Sequence, residues 1–295
     1  MGMRRSLGAL LLVAATPAWA HGTGSPAAPP HWSFELWVVL PLLIAAALFG
    51  FGWLRLRARS SHGVSMLTRR ALFFASGWLI LSGAVISPLH DAGGRSFAAH
   101  MFEHELLMLA AAPLLVLAKP LAVMLWAFPG SARRAIGLVV SGRTFSSIWH
   151  RLRDPITATL LQATALWLWH APALFDRALA SEGWHAVQHL SFLLGALLFW
   201  NAMFARSTPR GLAVLCLFAT SVVSGALGAL MAFSASPWYA RYAAMGMAPF
   251  GLSPLEDQQL AGLLMWVPGG LVHAAAALAL LHAMLREPGE RAHAL

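Results

Sequence analysis

The chain has 295 residues, 59% of them hydrophobic and 11% charged, and its mean hydropathy is +0.67. A water-soluble domain carries roughly twice that charged fraction, so apolar runs of about 20 residues make the bilayer the solvent of one helical domain. The net charge of +9 does not mark a nucleic-acid partner, because the arginines flank apolar spans instead of forming a patch. The single cysteine, Cys216, excludes an intrachain disulfide and a thiolate metal cluster.

Residues 1–20 read as a secretory signal, with Arg4 and Arg5 at its start, an apolar core from Leu7 to Ala15, and Ala18-Trp19-Ala20 as the cleavage site. The alternative is an uncleaved anchor helix. Both place residue 21 outside the cytoplasm, and cleavage after Ala20 would expose His21, whose amine and imidazole can chelate Cu(II). Residues 21–34, rich in Pro, Gly and Ala, are expected to be a flexible outer tail. The membrane domain, 35–285, is predicted to be all-α, a multi-spanning bundle of seven transmembrane helices at 35–54, 71–88, 101–126, 155–171, 186–204, 211–233 and 259–285. Residues 128–154 mix arginines with Ile136, Leu138, Val139, Phe145, Ile148 and Trp149, the pattern of a basic amphipathic stretch on an anionic inner leaflet. Residues 286–295 form a cytoplasmic tail. Pro113, Pro120 and Pro268-Gly269-Gly270 are expected to kink or loosen the third and seventh spans.

Arginine placement orients the bundle. Arg55, Arg57, Arg59, Arg69 and Arg70 separate spans one and two, Arg133, Arg134, Arg143, Arg151 and Arg153 separate three and four, and Arg206 and Arg210 separate five and six. The opposite loops hold Arg95, Arg177 and Arg241. The positive-inside rule then puts the N-terminus outside and the C-terminus in the cytoplasm. Acidic residues show the reverse bias, with Glu35, Asp91, Glu103, Glu105, Asp176, Glu182, Glu256 and Asp257 on or near the outer face.

Histidines gather on that same outer face. His100/His104 and His185/His189 are H-x-x-x-H pairs at the starts of spans three and five, and residues four apart share one helix face. His170 ends span four and His90 follows span two. Ionisable residues inside a membrane protein are costly and mark functional sites. A lone histidine is usually hydrogen-bonded core, but two same-face pairs in one leaflet favour a metal-ligand role. Imidazole suits copper, zinc, iron and nickel, whereas methionine sulfur selects Cu(I). Met101, Met108 and Met265 lie within reach, although each alone reads more readily as packing. Glu103, Gln188, Asp176 and Asp91 are candidates to orient the imidazoles. His273 lies about 20 Å into span seven, too deep to join the group, and is expected to bond a neighbouring helix.

No hydrolytic motif competes. His104-Glu105-Leu106-Leu107 begins like a zincin helix, but Met108 stands where the second histidine belongs. There is no P-loop and no G-x-S-x-G elbow, so a non-enzymatic role is expected.

In order along the chain come His100-Met101-Phe102-Glu103-His104 running into Ala112-Pro113-Leu114-Leu115-Val116-Leu117 and Pro120, then Trp169-His170-Ala171-Pro172-Ala173-Leu174-Phe175-Asp176. His185-x-x-Gln188-His189-x-x-Phe192, Phe199-Trp200, and Asp257-Gln258-Gln259-x-x-Gly262 into Met265-Trp266-Val267-Pro268-Gly269-Gly270 follow. This series resembles the polytopic CtaG family of cytochrome c oxidase assembly factors over about residues 35–285. Two departures are Glu103, where the family often has an uncharged residue such as Gln, and Ala112-Pro113, where it often has two prolines. The resemblance implies a protein of the bacterial plasma (inner) membrane that helps mature a haem–copper oxidase. It implies copper, as Cu(I), held by His100, His104, His170, His185 and His189, and as partners the cytochrome c oxidase subunits and a periplasmic copper donor. A bis-histidine haem protein, with haem between His104 and His189, and a metal or proton transporter are the alternatives. A transporter would need a polar path through the inner half, which offers little beyond His273 and Lys119.

Overall fold

A chain that cannot hydrogen-bond its backbone to water folds into helices, and among the described residues of the computed structural model, 29–59, 63–248 and 251–292, there is no strand. The expected signal and His21 lie outside those residues. The described end of the outer tail is anchored: the Ser33 N–H donates to the Ile86 carbonyl at 3.0 Å, and His31 Nδ1 lies 3.4 Å from Asp91.

The first two helices, α1 (Leu36–Arg59) and α2 (Val64–Ile86), meet in a small core where Phe49 stacks on Phe74 with ring centroids 3.8 Å apart. A short α3 (Pro88–Gly93) follows, started by Ser87, whose hydroxyl accepts the Leu89 N–H, with Pro88 at the first helical position. The third span is composite. It begins as α4 (Phe97–Glu105), passes through a π-helical turn (Leu106–Ala111), and continues as α5 (Ala112–Ala118). Pro113 has no N–H to give to the preceding turn, and the π turn absorbs that mismatch. Lys119 adopts a left-handed conformation (φ 50°) and ends the span before α6 (Pro120–Met124), so the expected breaks at both prolines occur, and the span stops at Ala118, not 126.

The basic stretch forms α7 (Gly130–Ser141) and α8 (Arg143–Leu152), neither of which has a buried residue. Next come α9 (Pro155–Trp169), α10 (Pro172–Ala180), α11 (Glu182–Met203), α12 (Arg210–Ala232), α13 (Ala240–Ala244) and α14 (Pro254–Ala292). The last is unbroken through Pro268-Gly269-Gly270, where a looser helix was expected.

Among the described residues, six helical stretches are long and apolar enough to cross a membrane. The fourth expected span, α9, has 15 residues, or about 22 Å of helix against a hydrocarbon core of about 30 Å. It lies antiparallel to α11: Trp169 packs on Trp184 at one end, and Arg153 Nε donates to Asn201 at the other, at 2.9 Å. The seven expected spans therefore resolve into six of spanning length and one shorter helix packed beside α11 and α12. Glycines let α12 and α14 touch backbone to backbone: a Cβ on Gly228 would lie 2.7 Å from the Gly262 carbonyl oxygen.

The two ends of the bundle differ in chemistry. At one end Arg55 donates to the Ala127 carbonyl, Arg153 to Asn201, and Arg210 to the Ala283 carbonyl. The opposite end collects His90, His100, His104, His170, His185 and His189.

Candidate metal centre

Helix α4 is set in place by a carboxylate from the far end of the chain. The first N–H groups of a helix have no partner within it. Here Asp257, buried at the start of α14, accepts the Phe97 N–H at 2.6 Å, the Ala98 N–H at 3.3 Å and the Ser96 hydroxyl at 2.7 Å. A negative charge at a helix N-terminus also opposes the positive end of the dipole. Fixed this way, α4 turns His100, Met101, Glu103 and His104 into the bundle, and all four are buried. The start of α11 faces them with His185, Gln188 and His189, α9 ends on His170, and α3 brings His90.

Glu103 is the centre of the outer part. Its Oε1 accepts from His90 Nδ1 at 2.8 Å and lies 3.2 Å from His189 Nε2. Ligand atoms of these three residues all fall within 4.8 Å of one another, the spacing at which one ion can be shared. The His189 contact has an electrostatic consequence. His189 Nδ1 donates to the His185 carbonyl at 3.1 Å, so in the neutral ring Nε2 carries a lone pair. A lone pair facing a carboxylate oxygen repels it, and a cation between the two, a proton or a metal ion, relieves that repulsion.

The same tautomer logic runs through the cluster. His170 Nδ1 donates to the Leu166 carbonyl at 2.7 Å, leaving Nε2 aimed at Met101 Sδ, 3.3 Å away. Tyr242 donates its hydroxyl hydrogen to the Gly93 carbonyl at 2.6 Å and accepts from His100 Nδ1 at 3.3 Å, which leaves His100 Nε2 free. Bonding one ring nitrogen to the protein orients the other for a metal. The free atoms are numerous: His100 Nε2, both nitrogens of His104, His185 Nε2, His189 Nε2, Glu103 Oε2 and both amide atoms of Gln188 are buried without a hydrogen-bond partner. Buried polar atoms are nearly always paired, and five unpaired imidazole nitrogens beside a carboxylate oxygen in one place fit a metal ion.

The imidazoles touch directly. Ring centroids are 4.4 Å apart for His100 and His104, 4.8 Å for His104 and His189, and 4.3 Å for His185 and His189. Phe175 and Phe192 wall the group, at 5.1 Å from His100 and 4.8 Å from His104. At the rim, burial disfavours a charged His90, but the Glu103 hydrogen bond and charge, with Glu35 and Asp91, outweigh it and raise its pKa above the ordinary histidine value. Burial pushes the Tyr242 phenol up, reinforced by Asp257 and Glu103, so it remains a donor.

All six sequence-predicted histidines thus meet at one end. Met101 and Gln188 lie among them, and Glu103 stands between His90 and His189, more central than the orienting part expected. Asp176 instead accepts from the Arg241 backbone at 3.5 Å, and Asp91 pairs with Arg95 at 2.7 Å. Met108 and Met265 are buried in the apolar core, where the Met108 carbonyl accepts from Trp200. His273 stands apart, as expected, but its Nδ1 bonds the Gly269 carbonyl of its own helix and not a neighbouring one, while its ring stacks on Trp200 of α11. Sequence reasoning missed the service of Asp257 and Tyr242, although Asp257 opens one of the stretches that carried the resemblance.

A family model described as cytochrome c oxidase caa3 assembly factor matches residues 47–287. No curated protein and no solved structure matches the chain.

Proposed function

This chain belongs to the cytochrome c oxidase caa3 assembly factor family, over a stretch that includes every histidine of the cluster, and we propose that it assists assembly by holding copper, as Cu(I), at the histidine end and passing it to the oxidase. The observation that supports this is the convergence of His90, Glu103 and His189, with the unpaired nitrogens of His100, His104 and His185 beside them. Imidazole is a good copper ligand, and methionine sulfur at Met101 adds preference for the reduced ion. A carrier must release its cargo, and several weak ligands crowded together let each bond be exchanged in turn. The copper is cargo here, and no bond of a substrate is broken.

On this reading the histidine end faces the outside of the bacterial plasma membrane, with the N-terminus outside and the C-terminus in the cytoplasm. The arginines at the opposite end support that orientation. Copper then comes from a periplasmic donor and leaves to the oxidase subunits, all on one side of the membrane. The contact of His104 with His189 at 4.8 Å leaves no slot between them for a planar macrocycle, which favours a bare ion over haem.

The test is metal analysis of purified protein beside His104→Ala and His189→Ala. Each variant is expected to lose most bound copper while retaining its helical circular dichroism. A deletion strain is expected to make oxidase subunits but show low oxidase activity, partly restored by excess copper through mass action. A Soret band with no copper would replace this reading with the haem one. Unchanged copper in a folded double variant would overturn the site.

A further inference from the structure

Resting on the copper reading, we propose that the cluster is two metal positions in series: an outer one at His90, Glu103 and His189, and an inner one between His170 Nε2 and Met101 Sδ that admits only a soft monovalent cation. The outer position lies at the rim, where His90 and His185 are partly exposed, and it carries a carboxylate. Imidazole and carboxylate together hold divalent ions as readily as Cu(I).

The inner position differs in every respect that matters to a cation. Met101 and His170 are fully enclosed, and two lone pairs face each other across 3.3 Å with no hydrogen between them, because the His170 proton is spent on the Leu166 carbonyl. Neither ligand bears charge. Metal–nitrogen and metal–sulfur bonds of about 2.0 and 2.3 Å place the two atoms about 4.3 Å apart in a linear site. Met101 therefore has to swing by about 1 Å, which its unbranched side chain allows. A divalent ion there would bring two uncompensated charges into a low-dielectric interior, and a monovalent ion brings one. Softness and charge thus exclude the same ions.

His104 links the two positions. In His90, His100, His170 and His189 the Nδ1 atom is committed to a protein partner. His104 has both nitrogens buried and unpaired. Its ring contacts those of His100, His189 and Phe192, and Phe192 also contacts His170. An imidazole with two free nitrogens can take an ion from one position and offer it to the next without changing the ion's oxidation state.

The experiment uses the full chain purified in detergent, loaded separately with Ag(I), a redox-inert surrogate for Cu(I), and with Zn(II). Wild-type protein is expected to bind two equivalents of Ag(I) and one of Zn(II). Met101→Leu is expected to lose one Ag(I) and keep Zn(II), whereas Glu103→Gln removes a ligand, weakens Zn(II) by more than the roughly 10–100-fold typical of losing an outer-shell partner, and keeps the inner Ag(I). X-ray absorption of wild-type protein with Cu(I) provides a readout that needs no variant: one sulfur scatterer at about 2.3 Å is expected. Copper bound through nitrogen and oxygen alone, or one shared equivalent lost by both variants, would overturn the two-position arrangement while leaving the copper reading intact. Wild-type protein that binds neither Ag(I) nor Cu(I) would remove both.

Discussion

Glu103 shows how much one side chain can decide. A carboxylate fully buried in a membrane bundle is costly unless a cation compensates it, and here its Oε1 accepts from His90 at 2.8 Å and faces His189 Nε2 at 3.2 Å, two imidazoles from different helices. Asp257 acts at one remove. It touches no imidazole, yet it satisfies the Ser96 hydroxyl and the first N–H groups of the helix that carries His100 and His104. Asp257→Ala leaves those donors buried without partners, at a cost of about 1–3 kcal/mol for each unsatisfied group. The expected outcome is a lower unfolding temperature together with weaker copper binding, measured by thermal circular dichroism and competition titration. Unaltered copper affinity in the destabilised variant would show that α4 keeps its position without this anchor.

At the scale of elements, the contact that matters most for the site lies away from it. Helices α12 and α14 approach through Gly228 and Gly262, where an added Cβ meets backbone atoms that cannot rotate aside. Because Asp257 is in the first turn of α14, displacing α14 displaces the anchor of α4. Gly228→Val is therefore expected to lower both thermal stability and copper affinity, whereas Gly83→Ala in α2, where a Cβ meets nothing within 4 Å, should lower neither. The π turn at Leu106–Ala111 is a second such device. It begins two residues after His104 and offers the Met108 carbonyl to Trp200, which ties α11 to the same helix that presents the histidines.

For the whole molecule, the testable quantity is orientation. The opposite ends of the bundle carry arginines and histidines, and the unburied α7 and α8 lie between α6 and α9 at the arginine end. If that end is cytoplasmic, a reporter active only in the cytoplasm is expected to work when fused after residue 62 and to fail after residue 94. The reverse pattern would put the metal centre on the cytoplasmic side and rule out an outer copper donor.

The sequence by itself determined the solvent, the helical class, the asymmetry of the two ends and the gathering of six histidines at one of them. Hydropathy, charge and the four-residue spacing of His100/His104 and His185/His189 are local properties, and a bilayer converts them directly into depth and face. Only the tertiary structure decided what each residue does within that layer. Glu103 became central, Met101 met His170, Asp257 became an anchor, and Asp176 turned away to Arg241. Those outcomes depend on how each helix is rotated about its own axis. Rotation is set by contacts between residues as far apart as Phe97 and Asp257, which no local pattern encodes. The same holds for α9, whose 15 residues fall short of spanning length and pack beside α11 and α12.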